Sequence, residues 1–241
     1  MKMNLWLALP AALTAIAFSQ PASAAVVTYT YAGTVSYGFD GLGLFGEVGG
    51  DITGSAFTAV FYRDDALALP ENIFQGEINS FVTGEGAYAP VRAVLTIGGV
   101  SLEIGGASGE QTQYDDGADE GFSHQAAGPN ASLSLHANTV GTFAPSSLNY
   151  LAGPDYHTLQ SLTAAQTPGW GWSGNFDIFA PEAAKSSNYT TGAFNPISLV
   201  VGPNPGGVVS PAPEPASWAL MIVGFGAAGW TLRRRRGLAF A

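Results

Sequence analysis

Apolar and polar residues alternate along much of this chain with the period of a β-strand. From Val27 the odd positions are Val27, Tyr29, Tyr31, Gly33, Val35 and Tyr37, while the even ones include Thr28, Thr30, Thr34 and Ser36. Successive side chains of a strand point to opposite faces, so this run predicts one packed and one wet face. Gly54 to Arg63 is a second run, rich in aromatic and β-branched residues. Val94 to Ile97 and Val100 to Ile104 flank Gly98-Gly99, which predicts a tight hairpin on a two-residue turn. Further strands are expected at Gly76 to Val82, Phe122 to Ala126, Ser132 to Ala137, Gly171 to Phe179 and Pro196 to Val201. Turn chemistry separates them at Gly41 and Gly43, Asp64-Asp65, Gly128-Pro129, Gly153-Pro154 and Pro168-Gly169. Long amphipathic helical patterns are missing, although Thr158 to Ala165 has room for one or two helical turns.

Many short strands without crossover helices predict an all-β fold, a single antiparallel β-sandwich over residues 25–201. A jelly-roll order is one arrangement the pattern allows. Residues 202–212 hold Gly and Pro with little to bury and read as a linker.

Two apolar segments break the strand pattern, one at each end. Lys2 precedes an apolar stretch from Leu5 to Phe18 that closes on Ala22-Ser23-Ala24. That order is the pattern of a secretory signal peptide, residues 1–24, with Ala22 and Ala24 suited to signal peptidase and cleavage after Ala24. At the other end stand Pro213-Glu214-Pro215, an apolar run from Ala216 to Leu232, and Arg233, Arg234, Arg235 and Arg236. As a helix the run spans ~26 Å at ~1.5 Å per residue, enough for a slightly thinned hydrocarbon core of ~30 Å. Each arginine costs ~2.5–3.5 kcal/mol to place mid-membrane, so the cluster holds residues 237–241 in the cytoplasm as a short tail and leaves the preceding chain outside. The prolines hold Pro211 to Pro215 extended beside the membrane, as a protease requires of its substrate. Glu214 and Trp218 set a height at the interface, and Gly224, Gly226 and Gly229 leave helix faces that another helix can approach.

Those same residues resemble the PEP-CTERM sorting signal, here over 213–236. The resemblance implies recognition at Pro213, Glu214 and Pro215 by exosortase, an integral-membrane cysteine transpeptidase. It further implies transient insertion in the inner membrane and delivery to the cell surface or the extracellular polysaccharide matrix of a biofilm. The segment from Gly33 to Asp65 is also similar to the opening of other PEP-CTERM ectodomains, which supports one domain and brings no known site.

Composition narrows the partners of the middle part. Between the two ends stand three cations, Arg63, Arg92 and Lys185, against seventeen acids, a formal charge of −14. Such a surface repels nucleic acid and anionic lipid. The chain has no cysteine, so neither disulfides nor thiolate chemistry enter, and stability rests on burial.

Candidate chemistry is sparse. Trp170 and Trp172 lie two apart, as a platform for sugar rings would, but they share parity with Phe176 and Ile178 and so belong most simply to the core. Asp115, Asp116, Asp119 and Glu120 form the densest acidic cluster, a Ca²⁺ candidate whose spacing fits no EF-hand and reads better as a solvated loop. His124 and His136 flank Gly128-Pro129 symmetrically and are expected to face each other across a hairpin, without a third metal ligand. Gly171-Trp172-Ser173-Gly174-Asn175 lacks the last glycine of a nucleophile elbow, and Glu77, Glu85 and Glu103 have no spacing that fixes a glycosidase pair. The expectation is an exported, non-enzymatic protein without a cofactor or metal. Its competitors are a carbohydrate- or calcium-binding module and, behind that, a secreted hydrolase.

Overall fold

The computed structural model describes residues 26–116, 119–139, 150–180 and 189–203, all within one unit, Ala24–Ala212. The strands begin with β1 (Val27–Asp40), β2 (Gly50–Asp51), β3 (Ala56–Arg63), β4 (Ile73–Gln75), β5 (Asn79–Glu85), β6 (Val91–Ile97) and β7 (Val100–Ile104). They continue with β8 (Ser108–Asp115), β9 (Glu120–Ala127), β10 (Ala131–Thr139), β11 (Gln160–Thr163), β12 (Trp170–Phe179) and β13 (Tyr189–Pro203). Short 3-10 turns at Pro70–Asn72 and Gly86–Tyr88 are the helical elements among the described residues.

The expected sandwich of two sheets is corrected to one antiparallel sheet that curls on itself. Its order is β4-β5-β8-β9-β10-β12-β13-β1-β3-β6-β7, with β11 pairing to β13 and β2 to β1. The order departs from a jelly roll because the chain shuttles between two arms joined through the β1–β13 pair. Strands of this length twist, and bulges between Ala32 and Gly33 and between Val35 and Tyr37 bend β1 further. Gly33 is required at the first bulge, because a Cβ there would sit inside contact distance of the Asn195 carbonyl oxygen. Closure brings β6 against β8 and β9, where Gly109 leaves room for the backbone of Val91.

The curl turns one face of every long strand into the core. Tyr29, Tyr31, Phe61, Leu95, Leu133, Leu135, Phe176 and Leu199 are wholly buried there. Phe194 joins them, its ring 4.1 Å from Phe57 and 5.0 Å from Phe176 between centroids.

The Gly98-Gly99 hairpin forms as expected: both glycines have positive φ, 59° and 89°, and Ile97 pairs with Val100. Four expectations change. The run Gly76 to Val82 splits, since Gly76 turns between β4 and β5 and its N–H donates to the Asn79 carbonyl. Thr158 to Ala165 holds strand β11 in place of a helical turn, because its residues complete the ladder on β13 from Ser198 to Val201. β13 continues to Pro203, taking the first two residues of the expected linker, by pairing with Val27 and Thr28. Tyr37 is exposed, not packed beside Val35, because the second bulge reverses the alternation of β1.

Candidate functional site

The densest chemistry lies inside the curl, around Arg63 at the end of β3. Its side chain is 1% exposed, and its guanidinium grips Asp65 through both Nε and Nη2. Nη1 donates to Tyr29 Oη at 3.3 Å and to Gln111 Oε1 at 3.1 Å, while the guanidinium carbon lies 3.4 Å from the centre of the Tyr156 ring. Every face of this buried cation is matched by a carboxylate, a dipole or a π-system, as a desolvated charge requires.

A strap, residues 150–157, closes the cluster. Its backbone is read by side chains of the sheet: Gln113 Nε2 donates to the Gly153 carbonyl at 2.5 Å, Ser80 Oγ to the Pro154 carbonyl and Tyr29 Oη to the Tyr156 carbonyl. Glu120 takes the N–H groups of Tyr150 and Leu151. Burial raises the Glu120 pKa, and those two N–H groups hold the rise back. His157 fastens the far end, with Nε2 3.0 Å from Asp65 Oδ2 and Nδ1 2.8 Å from Asp155 Oδ1. The bond to Asp65 raises its pKa, Asp155 adds to this, and burial opposes. His157 Nε2 also lies 2.9 Å from Arg63 Nη2. Burial alone would raise the Asp65 pKa, but the bonds and charges of His157 and Arg63 outweigh it and lower it, and Asp155 is lowered in the same way.

His124 lies deeper, on β9. It is wholly buried, with its ring 4.2 Å from that of Tyr29, and Tyr31 Oη hydrogen-bonds its Nδ1 at 2.8 Å. Burial, helped by the charge on Arg63, pushes its pKa down to about 3, so the imidazole is neutral. Its Nε2, Gln111 Nε2 and Gln113 Oε1 are buried polar atoms without a hydrogen-bond partner among the described residues. The expected face-to-face histidines are corrected by one register step. His124 pairs with Leu135 and His136 with Ser123, so the two imidazoles point to opposite faces.

His136 on the outer face meets Ser173 across β10 and β12, with Oγ 2.6 Å from Nε2. That is nucleophile-to-base distance. The pair sits mid-ladder on the sheet, however, where the backbone N–H groups that would stabilise an oxyanion are spent on neighbouring strands.

Trp170 is buried against the core with Trp172 packed beside it, their rings 6.2 Å apart, and Trp172 Nε1 donates to Thr167 Oγ1 at 3.0 Å. The acidic cluster divides: Asp119 N–H donates to Asp116 Oδ1 at 2.6 Å at the hairpin tip, Asp115 pairs with Glu120 across it, and the Glu120 carboxylate is turned inward to the strap. Glu103 bonds Arg92 at 3.1 Å on the β6–β7 hairpin, whereas Glu85 ends β5 opposite Ser108. Among the described residues no group of three or more His, Asp or Glu could hold a metal ion. The Arg63 node, the strap and the inward glutamines escape a reading by periodicity, since Gln111 and Gln113 make β8 look like a loop. Asp64-Asp65 directly after a strand-ending arginine was the one local signal.

A groove of about 360 Å³ opens elsewhere, between Tyr62, Asp64, Pro90 and Arg92, with the Arg92 guanidinium over the Tyr62 ring at 4.2 Å. It does not reach the Arg63 node.

Against known families, the PEP-CTERM protein-sorting motif matches residues 211–236. The chain is a PEP-CTERM domain-containing protein. Searches of curated proteins and of solved structures gave no match. The PEP-CTERM motif implies an exported protein sorted in dependence on exosortase. Its residues Pro213, Glu214, Pro215, Trp218, Gly224, Gly226 and Arg233 to Arg236 lie outside the described residues, as do the expected membrane span and the signal-peptidase residues Ala22 and Ala24. Among the described residues no helix is long and apolar enough to cross a membrane.

Proposed function

We propose that this chain is an exported, non-enzymatic protein, delivered by exosortase to the cell surface or the extracellular polysaccharide matrix, with the curled sheet as its passenger. The PEP-CTERM motif at 211–236 carries the reading. Its order of extended acidic tripeptide, apolar run and arginine cluster supplies a brief anchor and a cleavage point outside the membrane. A passenger role is supported inside the sheet, where Asp65, Asp155, Glu120 and His157 are each bonded to structural partners. Signal peptidase would act at the N-terminus and exosortase near Pro213-Glu214-Pro215.

Replacing Pro213, Glu214 and Pro215 together by alanine tests the proposal. The native chain should be released with an intact mass lacking Arg233 to Arg236, and the triple variant should stay in the membrane fraction. Released native protein that keeps its arginines would overturn it.

A further inference from the structure

Large exposed aromatic side chains gather at one end of the outer face, where β1, β13 and β12 run side by side. Tyr37 is 61% exposed, Phe179 53% and Tyr189 38%, and the half-buried Phe39 packs against Tyr189 with centroids 5.9 Å apart. The register puts them on a grid with the polar groups Asn175, Thr191 and Asp177. Tyr37 lies opposite Ala193 and through it Asn175; Phe39 lies opposite Thr191 and through it Asp177; Tyr189 lies opposite Phe179. Tyr37 owes its place to the bulge after Val35, which swings the ring out of the core. Thr191 Oγ1 lies 2.6 Å from Asp177 Oδ1 and 3.1 Å from the Phe176 carbonyl oxygen, which ties that hydroxyl to β12.

Exposed aromatic patches rimmed by polar groups mark interaction sites. Two steps along a strand cover ~6.8 Å and one step across ~4.8 Å, so the rings from Tyr37 to Phe179 stretch over roughly 17 Å. A track of rings beside the Asn175 amide and the Thr191 hydroxyl suits a ligand with apolar ring faces and a hydroxyl rim. Among the described residues no Lys or Arg shares this face of β1, β12 and β13, and the part of the chain between its processed ends carries −14. An anionic polymer would be repelled, whereas an uncharged one pays no such penalty.

We propose that this outer face binds a neutral polysaccharide chain, with Tyr37, Phe39, Phe179 and Tyr189 stacking on sugar rings and Asn175 and Thr191 hydrogen-bonding their hydroxyls. It deepens the matrix reading above by naming the partner, and places sugar stacking on a face that Trp170 and Trp172 do not share.

The test is affinity electrophoresis of the full chain, purified in mild detergent, through gels holding dextran, laminarin, hydroxyethyl cellulose, galactomannan or the anionic polymer alginate. Retardation is expected in at least one neutral gel and not in alginate. Tyr37→Ala and Tyr189→Ala should each weaken it roughly tenfold, the effect of one well-placed aromatic contact. Tyr88→Ala, another exposed tyrosine away from the patch, should leave it unchanged, with circular dichroism confirming that every variant folds. Retardation in no neutral gel, equal retardation in alginate, or indifference to Tyr37→Ala and Tyr189→Ala would overturn the assignment. So would a native dimer that Tyr37→Ala dissociates, since the patch would then be covered by a second copy. The purified protein reports on binding whatever its sorting, so failure here is distinct from failure of the Pro213-Glu214-Pro215 experiment.

Discussion

Replacing Arg63 by methionine removes a buried cation while keeping most of its volume, so the cost is electrostatic and not a cavity. Lost together are two bonds to Asp65, those to Tyr29 Oη and Gln111 Oε1, and the stack on Tyr156 at 3.4 Å. Asp65, 15% exposed, is left as a carboxylate with only His157 beside it. Breaking a buried pair by deleting one partner costs about 3–5 kcal/mol, and the ring contact, ~2 kcal/mol when desolvated, is counted within that range because the same group makes both. A domain of this size has roughly 5–15 kcal/mol in all, so the variant should fold with a much smaller margin. With a urea slope near ~2 kcal/mol/M the midpoint should fall by roughly 1.5–2.5 M. Unfolding followed by tryptophan fluorescence reports it, since Trp170 is buried against the core.

The companion variant Arg63→Met with Asp65→Asn tests the cause. If the damage comes from an uncompensated carboxylate, neutralising it should recover about 1–2 kcal/mol of the loss. A single variant that shifts the midpoint by less than ~0.5 M, or a double variant no better than the single, would refute the view of Arg63 as the charge that organises the strap.

Stability should peak near pH 6.5 and fall on both sides. His157, raised in the folded state, contributes fully below its ordinary value and loses that contribution as pH rises through the raised one, so His157→Gln should flatten the alkaline limb of a thermal-melting profile. His124 has the opposite sign: neutral down to about pH 3 when folded, it favours the unfolded chain as pH falls from about 6.5 to about 3, and His124→Phe should flatten that limb. Asp65 and Asp155, both lowered, add a further loss once pH drops below their unfolded values near ~4 and through the folded ones. Gly33→Ala should destabilise by ~1–3 kcal/mol in urea melts, because the new Cβ meets the Asn195 carbonyl and Pro196 Cα, whereas Gly46→Ala, with open space around it, should change stability by less than ~0.5 kcal/mol.

Periodicity reveals strands well where one face is apolar, as in β3 or β10, and fails where the core is polar. β8 turns Gln111 and Gln113 inward to serve Arg63 and the strap, so its buried face carries the residues that usually mark the wet one. Register is the second blind spot. A bulge adds one residue to a ladder, and with Val35 and Tyr37 both apolar nothing in their order says that the second ring leaves the core. His124 and His136 were misplaced for the same reason, by one step about a turn whose type the dipeptide Gly128-Pro129 does not determine.

That division explains why the address of this protein is easier to read than its cargo. A sorting motif is a run of consecutive residues, so its information survives in the bare sequence. The sheet's chemistry depends on which residues meet across strands. Tyr37 lines up with Asn175 through Ala193, and Arg63 reaches Tyr156, only through a particular register and a particular strap. One-residue changes in that register exchange the inner and outer faces. A binding face on this sheet is therefore set as much by the bulge in β1 as by the aromatic residues it displays.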